Sequence, residues 1–200
     1  VNVTIACEEV GIKPIGFRQE NTGTYMAHGF SVSTYGQHVG VVLSQNGPAA
    51  TLLVAGLGEC LKAGHPIIAV VQEVANSDKE KNAFQEINHA GMFAPVSKWV
   101  REIPCKERIE DYVDMAFKVA TSGRPGPAVL LVRGDLINDM TEYEYVDDHT
   151  CNYGYFPLDR NTADLEKIEE AAELLAKAER PLIYAGGGVI SSQAIEEVRA

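Results

Sequence analysis

The sequence lacks any apolar run long enough to cross a membrane. Its longest apolar runs, such as "PIIAVV" and "AVLLV", span only a few residues, whereas a membrane helix needs about 20. The start of the chain, "VNVTIACEEVG", has neither the basic segment nor the apolar segment of a secretory signal peptide. We therefore expect no membrane helix and no secretory leader.

Positive charge and cysteine are also scarce. The 17 basic residues face 28 acidic ones, for a net charge of -11, which argues against a nucleic-acid or anionic-membrane partner. The four cysteines, Cys7, Cys60, Cys105 and Cys151, lie far apart and form no C-x-x-C pair. This spacing supports neither a zinc site nor a thioredoxin-like motif. We expect free thiols, a cytoplasmic protein and no metal site within this chain.

The remaining pattern predicts an α/β fold. Helical patterns alternate with short, continuous apolar runs, which are typical of strands buried on both faces of a parallel sheet. The predicted strands cover residues 12–17, 39–44, 66–72, 94–100 and 127–132, and the predicted helices cover 20–34, 48–63 and 107–121. This alternation predicts a doubly wound, mainly parallel sheet flanked by helices, which we assign to residues 1–138.

The character of the sequence changes after this domain. Residues 139–161 are acidic and rich in tyrosine, without a clear period, and we predict a linker there. Residues 162–200 predict a helix capped by Thr162, a buried strand "RPLIYA" and a turn at Gly186-Gly187-Gly188. Because these elements are too few to fill a core, we expect the start of a second, Rossmann-like domain and a chain cut from a longer protein.

Several residues carry alternative interpretations. Glu20 either stabilises the N-terminus of a helix, worth about 0.3–1 kcal/mol, or faces a pocket as a proton donor. The stretch "SQNGPAAT", residues 44–51, joins a strand end to a helix start, which is where open α/β sheets bind ligands; it is otherwise a simple turn. Segment 82–99 favours an amphipathic surface helix in which His89 is structural. The glycines 186–188 are either a tight turn or a weak match to a dinucleotide motif.

The order of these motifs is more specific than any one of them. The stretches "FRQE", "QNGPAAT", "AFQEINHAGMFAPVSKWV", "SGRPGPAVLLVRGDL" and "ERPLIYAGGGV" follow one another along nearly the whole chain. Together they resemble the thiamine diphosphate-dependent enzymes, specifically the acetolactate synthase-like group. The resemblance implies that residues 1–138 are a pyrimidine-binding domain without its first strand and that 162–200 begin the middle domain.

The resemblance also implies roles for individual residues. Glu20 would hydrogen-bond the pyrimidine ring of thiamine diphosphate and so drive proton removal at its thiazolium carbon. Asn46, Gly47 and Pro48 would contact the cofactor. Gln85 would reach its reactive end. Phe84 and Lys98 would line the substrate pocket.

The chain departs from the family pattern at three positions. Gln19 replaces a histidine, Ala49 replaces a glycine, and Leu52 replaces an asparagine. These changes keep three alternatives open besides the acetolactate reaction. They are another 2-oxo acid decarboxylase, a C–C lyase, and a non-catalytic homologue.

The activity that the resemblance implies is a carboligase reaction. Pyruvate would be decarboxylated and its two-carbon unit joined to a second 2-oxo acid. Mg²⁺ would be held by a diphosphate domain that this sequence does not contain, and FAD is a further cofactor found in the family. The implied assembly is a homodimer or homotetramer with the active site between subunits, so we expect this chain alone to be inactive.

Overall fold

The computed structural model describes residues 2–139 and 162–200. The chain divides into two compact units, Val1–Leu158 and Asp159–Ala200. The predicted linker at 139–161 lies outside the described residues, except for Asp139.

The first unit alternates helices with strands. Its helices are α1 (Asn2–Glu9), α2 (Glu20–Ser33), α3 (Pro48–Thr51), α4 (Val54–Ala63), α5 (His89–Phe93), α6 (Ile109–Thr121) and α7 (Gly134–Ile137). Its strands are β1 (Gly40–Ser44), β2 (Ile67–Glu73), β3 (Trp99–Glu102) and β4 (Pro127–Arg133). Short 3-10 turns cover Ala94–Val96 and Lys106–Arg108.

The four strands form one parallel sheet in the order β1-β2-β4-β3. The central strands β2 and β4 are buried along most of their length, as continuous apolar runs in a parallel sheet require. Helices cover both faces. One core lies under α2, α4 and α5, and the other lies under α6. The predicted α/β fold class is confirmed.

The cores follow from the helical spacing of apolar residues. Leu53, Leu57 and Phe93 are fully buried on one face of the sheet. Ala116 and Ala120 lie one turn apart on α6 and are buried on the other face. Burying each large apolar side chain stabilises the fold by about 1.5–3 kcal/mol. Packing on both faces therefore holds the sheet in place, together with the edge at which its strands end.

One predicted strand of the first unit is wrong, and another begins later than predicted. Residues 12–17 have no strand structure and expose Ile15 by 67%, because Pro14 lacks an N–H donor for a ladder and no strand of the described part pairs with them. Residues 94–100 begin as a 3-10 turn around Pro95, and β3 starts only at Trp99. The predicted helix 48–63 divides into α3 and α4 at residues 52–53.

The second unit is helical in its described part. It contains α8 (Leu165–Lys177), α9 (Gly187–Ser191) and α10 (Ile195–Arg199). Asp164, rather than the predicted Thr162, caps α8 by accepting from the Glu166 N–H. The predicted strand "RPLIYA" is wrong: Tyr184 is 96% exposed, since no strand in the described residues of this unit offers a ladder.

Candidate active site

The loops that carry the sequence motifs meet at one edge of the sheet. In a parallel sheet all strands end at the same edge, and open α/β folds bind ligands there. The segment after β1 contains Asn46 and Gly47, the segment after β2 contains Phe84 and Gln85, and α7 follows β4 directly. This carboxyl edge is therefore the candidate site.

Helix α2 delivers Glu20 to the same edge. The second half of α2 packs on the start of β1, where Ser31 Oγ accepts the Gly40 N–H at 2.8 Å and donates to the Ala27 carbonyl at 3.3 Å. A Cβ on Gly40 would lie 2.0 Å from the Ala27 oxygen, so only glycine allows this approach. Because the end of α2 meets the start of β1, the first turn of α2 points towards the carboxyl edge.

The first turn of α2 offers oxygen atoms without partners. Glu20 is half-buried, and no hydrogen bond or ion pair to its carboxylate occurs within the described ranges. The side-chain oxygen of Asn21 is buried and has no hydrogen-bond partner among the described residues. A buried, unsatisfied acceptor costs about 1–3 kcal/mol, so this turn is suited to a ligand that brings donors. Sequence reasoning missed Asn21, since its burial depends on tertiary packing.

The two motif loops are docked on each other. Gly47 has φ 66° and ψ -131°, a conformation open only to glycine, and a Cβ there would lie 2.6 Å from the Gln85 Cβ. Gln85 itself has a positive φ of 62°. The Asn46 Nδ2 donates to the Phe84 carbonyl at 3.3 Å. The predicted cofactor loop and the predicted substrate loop therefore form one surface.

Glu86 orders the second of these loops. Its carboxylate accepts the backbone N–H groups of Glu80 at 2.7 Å and Ala83 at 3.0 Å. These two N–H donors lower the pKa of Glu86 below its usual range. The turn that presents Phe84 and Gln85 is thus held by a charged side chain from within the loop.

A buried histidine joins the two loops to the sheet. His89, only 1% exposed, accepts the Gly47 N–H at its Nε2, 2.8 Å away. Its Nδ1 lies 2.8 Å from the Glu73 carboxylate, and Glu73 is 7% exposed. The predicted amphipathic surface helix over 82–99 is wrong: α5 is short and inserts His89 and Phe93 into the core. No spacing in the sequence signals this pairing across 16 residues.

An open cavity of about 410 Å³ lies beside these loops. Its lining includes Asn46, Glu73, Asp78, Phe84 and Asp135. The Phe84 ring is 85% exposed, so an aromatic surface faces solvent at the mouth of the cavity. The Arg133 guanidinium beside Asp135 lowers the pKa of that carboxyl, so Asp135 is ionised at neutral pH and its charge is balanced by Arg133.

Lys98 lies at the opposite edge of the sheet. It precedes β3, and its Nζ donates to the carbonyls of Val119 and Ser122, the latter at 2.7 Å, at the end of α6. Burial lowers the pKa of its ammonium group. These contacts cap a helix C-terminus, and the predicted place of Lys98 in a substrate pocket has no supporting contact.

Other titratable side chains lie away from the loops. Burial raises the pKa of the Cys60 thiol to about 12, so this thiol is protonated and unreactive at neutral pH. His28 Nε2 and His65 Nδ1 lie 2.7 Å apart.

The part of the chain that the structure describes contains no cluster of three or more metal-ligating side chains, and no helix there is long and apolar enough to cross a membrane.

Comparison with known proteins gives two family matches. The model of the thiamine pyrophosphate enzyme N-terminal TPP binding domain matches residues 1–92. The model of the thiamine pyrophosphate enzyme central domain matches residues 168–200. The two matches follow each other in the order that the sequence motifs predict.

Several curated relatives match over most of the chain. The acetolactate synthase large subunit of Buchnera aphidicola subsp. Acyrthosiphon pisum is 36% identical over 94% of the chain and 33% of its own length. A probable acetolactate synthase large subunit of Methanocaldococcus jannaschii is 35% identical over 90% of the chain and 30% of its own length. A glyoxylate carboligase of Escherichia coli O157:H7 is 33% identical over 92% of the chain and 30% of its own length.

The chain thus spans about a third of the length of the curated relatives it matches. Three observations indicate the same kind of enzyme domain. They are the parallel sheet, the motif loops at its carboxyl edge and the two domain matches. Residues 1–92 and 168–200 therefore match two successive domains of the thiamine diphosphate-dependent enzymes, and the chain is similar to the large subunits of acetolactate synthase.

Proposed function

We propose that this chain forms the pyrimidine-binding half of a thiamine diphosphate-dependent carboligase. The reaction would decarboxylate pyruvate and join its two-carbon unit to a second 2-oxo acid. The observation that carries the proposal is the Glu20 carboxylate in the first turn of α2, which has no partner among the described residues and is directed to the edge where the Gly47 and Gln85 loops dock. Acetolactate synthase subunits among the relatives support the choice of reaction.

The residues at this edge fit the pyrimidine half of the cofactor. A ring nitrogen that shares a proton needs a carboxylate without a competing partner, and Glu20 has none in the part of the chain that the structure describes. The unpartnered oxygen of Asn21 supplies a further acceptor in the same turn. Gly47 lets the backbone turn sharply beside this region without a side chain in the way. Asn46, Gly47 and Pro48 are therefore the proposed cofactor contacts, and residues 1–138 the proposed pyrimidine-binding domain.

The chain's own part in the chemistry is to place a proton. When bound, thiamine diphosphate supplies a carbon nucleophile and accepts the electrons of decarboxylation. Glu20 would hold the shared proton at its carboxylate, where proton transfer by one positioned group is worth about 10²–10⁴-fold in rate. Gln85 would present its amide towards the reacting end, and the exposed Phe84 ring would cover apolar parts of the substrate.

Further components of the site belong to the proposal. Mg²⁺ would bind with the diphosphate through ligands outside this chain, and FAD would be tested by flavin absorbance of the purified protein.

Exposed apolar side chains on α2 and β1 support a homodimer or homotetramer; they include Met26, Phe30, Val41 and Leu43. A cytoplasmic location accords with the expected free thiols.

The proposal is tested by identifying products from the full-length protein. Purified protein with thiamine diphosphate and Mg²⁺ is given pyruvate, pyruvate with 2-oxobutyrate, or glyoxylate, and products are identified by mass spectrometry. We expect acetolactate from pyruvate alone. Acetaldehyde as the main product would establish a decarboxylase instead. Product from glyoxylate alone would favour the reaction of the carboligase relative.

A non-catalytic homologue is separated by the same preparation. Calorimetry with thiamine diphosphate and Mg²⁺ measures binding without turnover. We expect binding with a micromolar dissociation constant. Absence of binding by folded, full-length protein would contradict the proposed cofactor and leave only the fold.

A further inference from the structure

We propose that His89, oriented by Glu73, is a positioning residue that locks the Gly47 and Gln85 loops together and thereby sets the affinity for thiamine diphosphate. The cofactor part of this inference rests on the proposed function. The lock itself rests only on contacts within the chain, so the two parts can fail separately.

The directions of two hydrogen bonds fix the tautomer of His89. A backbone N–H can only donate, so Nε2 of His89 must accept the Gly47 N–H at 2.8 Å and carries no proton. The proton of the neutral ring then sits on Nδ1 and is donated to the Glu73 carboxylate at 2.8 Å. Glu73 therefore selects the one tautomer that can hold the loop. The other tautomer would place two N–H donors against each other.

His89 and Glu73 are both buried and held by rigid elements. His89 and Glu73 are 1% and 7% exposed, and the Phe93 ring stacks beside His89 with a centroid distance of 6.4 Å. Glu73 ends β2 and His89 begins α5. Both side chains therefore stand on rigid elements, which hold a site more closely than loops do.

Direct contacts couple the loop that contains Gly47 to the loop that contains Gln85. Gly47 contacts Gln85 so closely that no Cβ fits between them, and Asn46 donates to the Phe84 carbonyl. A single acceptor at His89 thus fixes Gly47, and Gly47 fixes the turn that presents Phe84 and Gln85. Loss of the acceptor would loosen both loops together, although they lie about 38 residues apart in sequence.

A buried histidine that serves only the core would behave differently. Its removal would lower overall stability without selectively loosening the two loops or weakening cofactor binding in the folded protein. In metal sites, residues that orient a ligand through a hydrogen bond change metal affinity or activity by about 10–100-fold, and we expect an effect of this size here. The distinguishing readouts are therefore local hydrogen exchange and cofactor affinity, both measured under conditions where the protein is folded.

The test uses the full-length protein and four variants. His89→Leu removes both hydrogen bonds. His89→Asn is too short to reach Gly47, yet it can still donate to Glu73, so it serves if the leucine variant does not fold. His89→Gln keeps an acceptor and a donor. Ile103→Val removes one buried methyl from the core under α6, which is separate from the core that contains Phe93, and serves as the control.

Hydrogen–deuterium exchange of peptides spanning 44–52 and 80–88 is measured without cofactor, and the dissociation constant for thiamine diphosphate is measured at fixed Mg²⁺. We expect His89→Leu and His89→Asn to speed exchange in both peptides by about tenfold, which corresponds to about 1.4 kcal/mol and lies within the range for losing one hydrogen bond. The same variants should raise the dissociation constant by about tenfold or more. His89→Gln should recover most of both effects, and Ile103→Val should change neither.

Exchange that stays at the wild-type level in both peptides would overturn the lock. Faster exchange with an unchanged dissociation constant would overturn the link to the cofactor. If the wild-type protein itself binds no thiamine diphosphate, the proposed function fails, while the exchange measurement still decides whether His89 locks the loops.

Discussion

At the scale of single residues, Glu20 lies where both of the roles that its sequence position leaves open are structurally available. It begins α2, where a carboxylate interacts favourably with the helix dipole. Its carboxylate is also half-buried and unpaired within the described ranges. The N-cap residue Gln19 makes no side-chain capping bond, so the helix start is not closed over by its own cap.

Gly47 is the residue at which a small change should do the most local damage. Gly47→Ala would carry the strain of a backbone conformation restricted to glycine, about 1–3 kcal/mol, and a collision with Gln85 worth about 1–3 kcal/mol more. Gly123→Ala is the matched control, because Gly123 has φ 54° and open space around it. Urea unfolding of both variants should show the larger loss of stability for Gly47→Ala. Equal losses would mean that the Gly47–Gln85 contact is not close-packed.

The His28–His65 pair should make stability depend on pH. Burial, and then the neighbouring His65, lower the pKa of His28. The unfolded chain, with a histidine pKa near about 6.5, therefore takes up a proton before the folded protein does. Stability from this pair is complete above that value and is lost as the pH falls below it.

The pH effect is isolated with His28→Gln. Urea midpoints are measured between pH 8 and pH 5 for both proteins. The wild-type midpoint should fall more steeply below about pH 6.5 than that of the variant. Parallel curves would show that His28 carries no linked proton.

At the scale of elements, the sequence predicts what depends on local pattern. Pro48 starts α3, and Gly64 ends α4 in a left-handed conformation. Both follow from side-chain geometry alone. The strand predicted at 12–17 and the strand predicted at "RPLIYA" are apolar enough but have no ladder partner in the described residues. A strand needs a neighbour, and periodicity cannot report whether one exists.

The packing of α2 on α4 gives a prediction with an internal control. A Cβ on Gly56 would lie 2.5 Å from the Thr24 methyl, whereas a Cβ on Gly58 would lie 3.7 Å from Val96. Gly56→Ala should destabilise by about 1–3 kcal/mol. Gly58→Ala, in the same helix, should stabilise by up to about 1 kcal/mol.

A second variant shows whether the close approach is responsible. Thr24→Ser removes the methyl and keeps the hydroxyl that donates to the Glu20 carbonyl at 3.0 Å. Thermal unfolding of the Gly56→Ala/Thr24→Ser protein should recover part of the loss. No recovery in the double variant would place the strain elsewhere than at this contact.

At the scale of the whole molecule, the fold class and the edge that carries the site are predictable from the sequence. The continuous apolar runs predict the parallel sheet, and the order of the motifs predicts which loops form the candidate site. The partners of those loops are not predictable. Glu73 and His89 meet only because β2 and α5 lie side by side, and the burial of Asn21 depends on how α2 packs. Composition and spacing carry no record of either contact.

The chain spans about a third of its relatives, so activity has to be measured on the full-length protein. The central claim is that Glu20 exchanges a proton with thiamine diphosphate during turnover. Glu20→Gln keeps the size of the side chain and removes the charge that holds the proton.

The most direct measurement is pyruvate consumption by full-length Glu20→Gln and wild-type protein, each saturated with thiamine diphosphate and Mg²⁺. We expect the variant to bind the cofactor and to turn over about 10²–10⁴-fold more slowly. Turnover by the variant near the wild-type rate would contradict the role of Glu20 and, with it, the proposed active site.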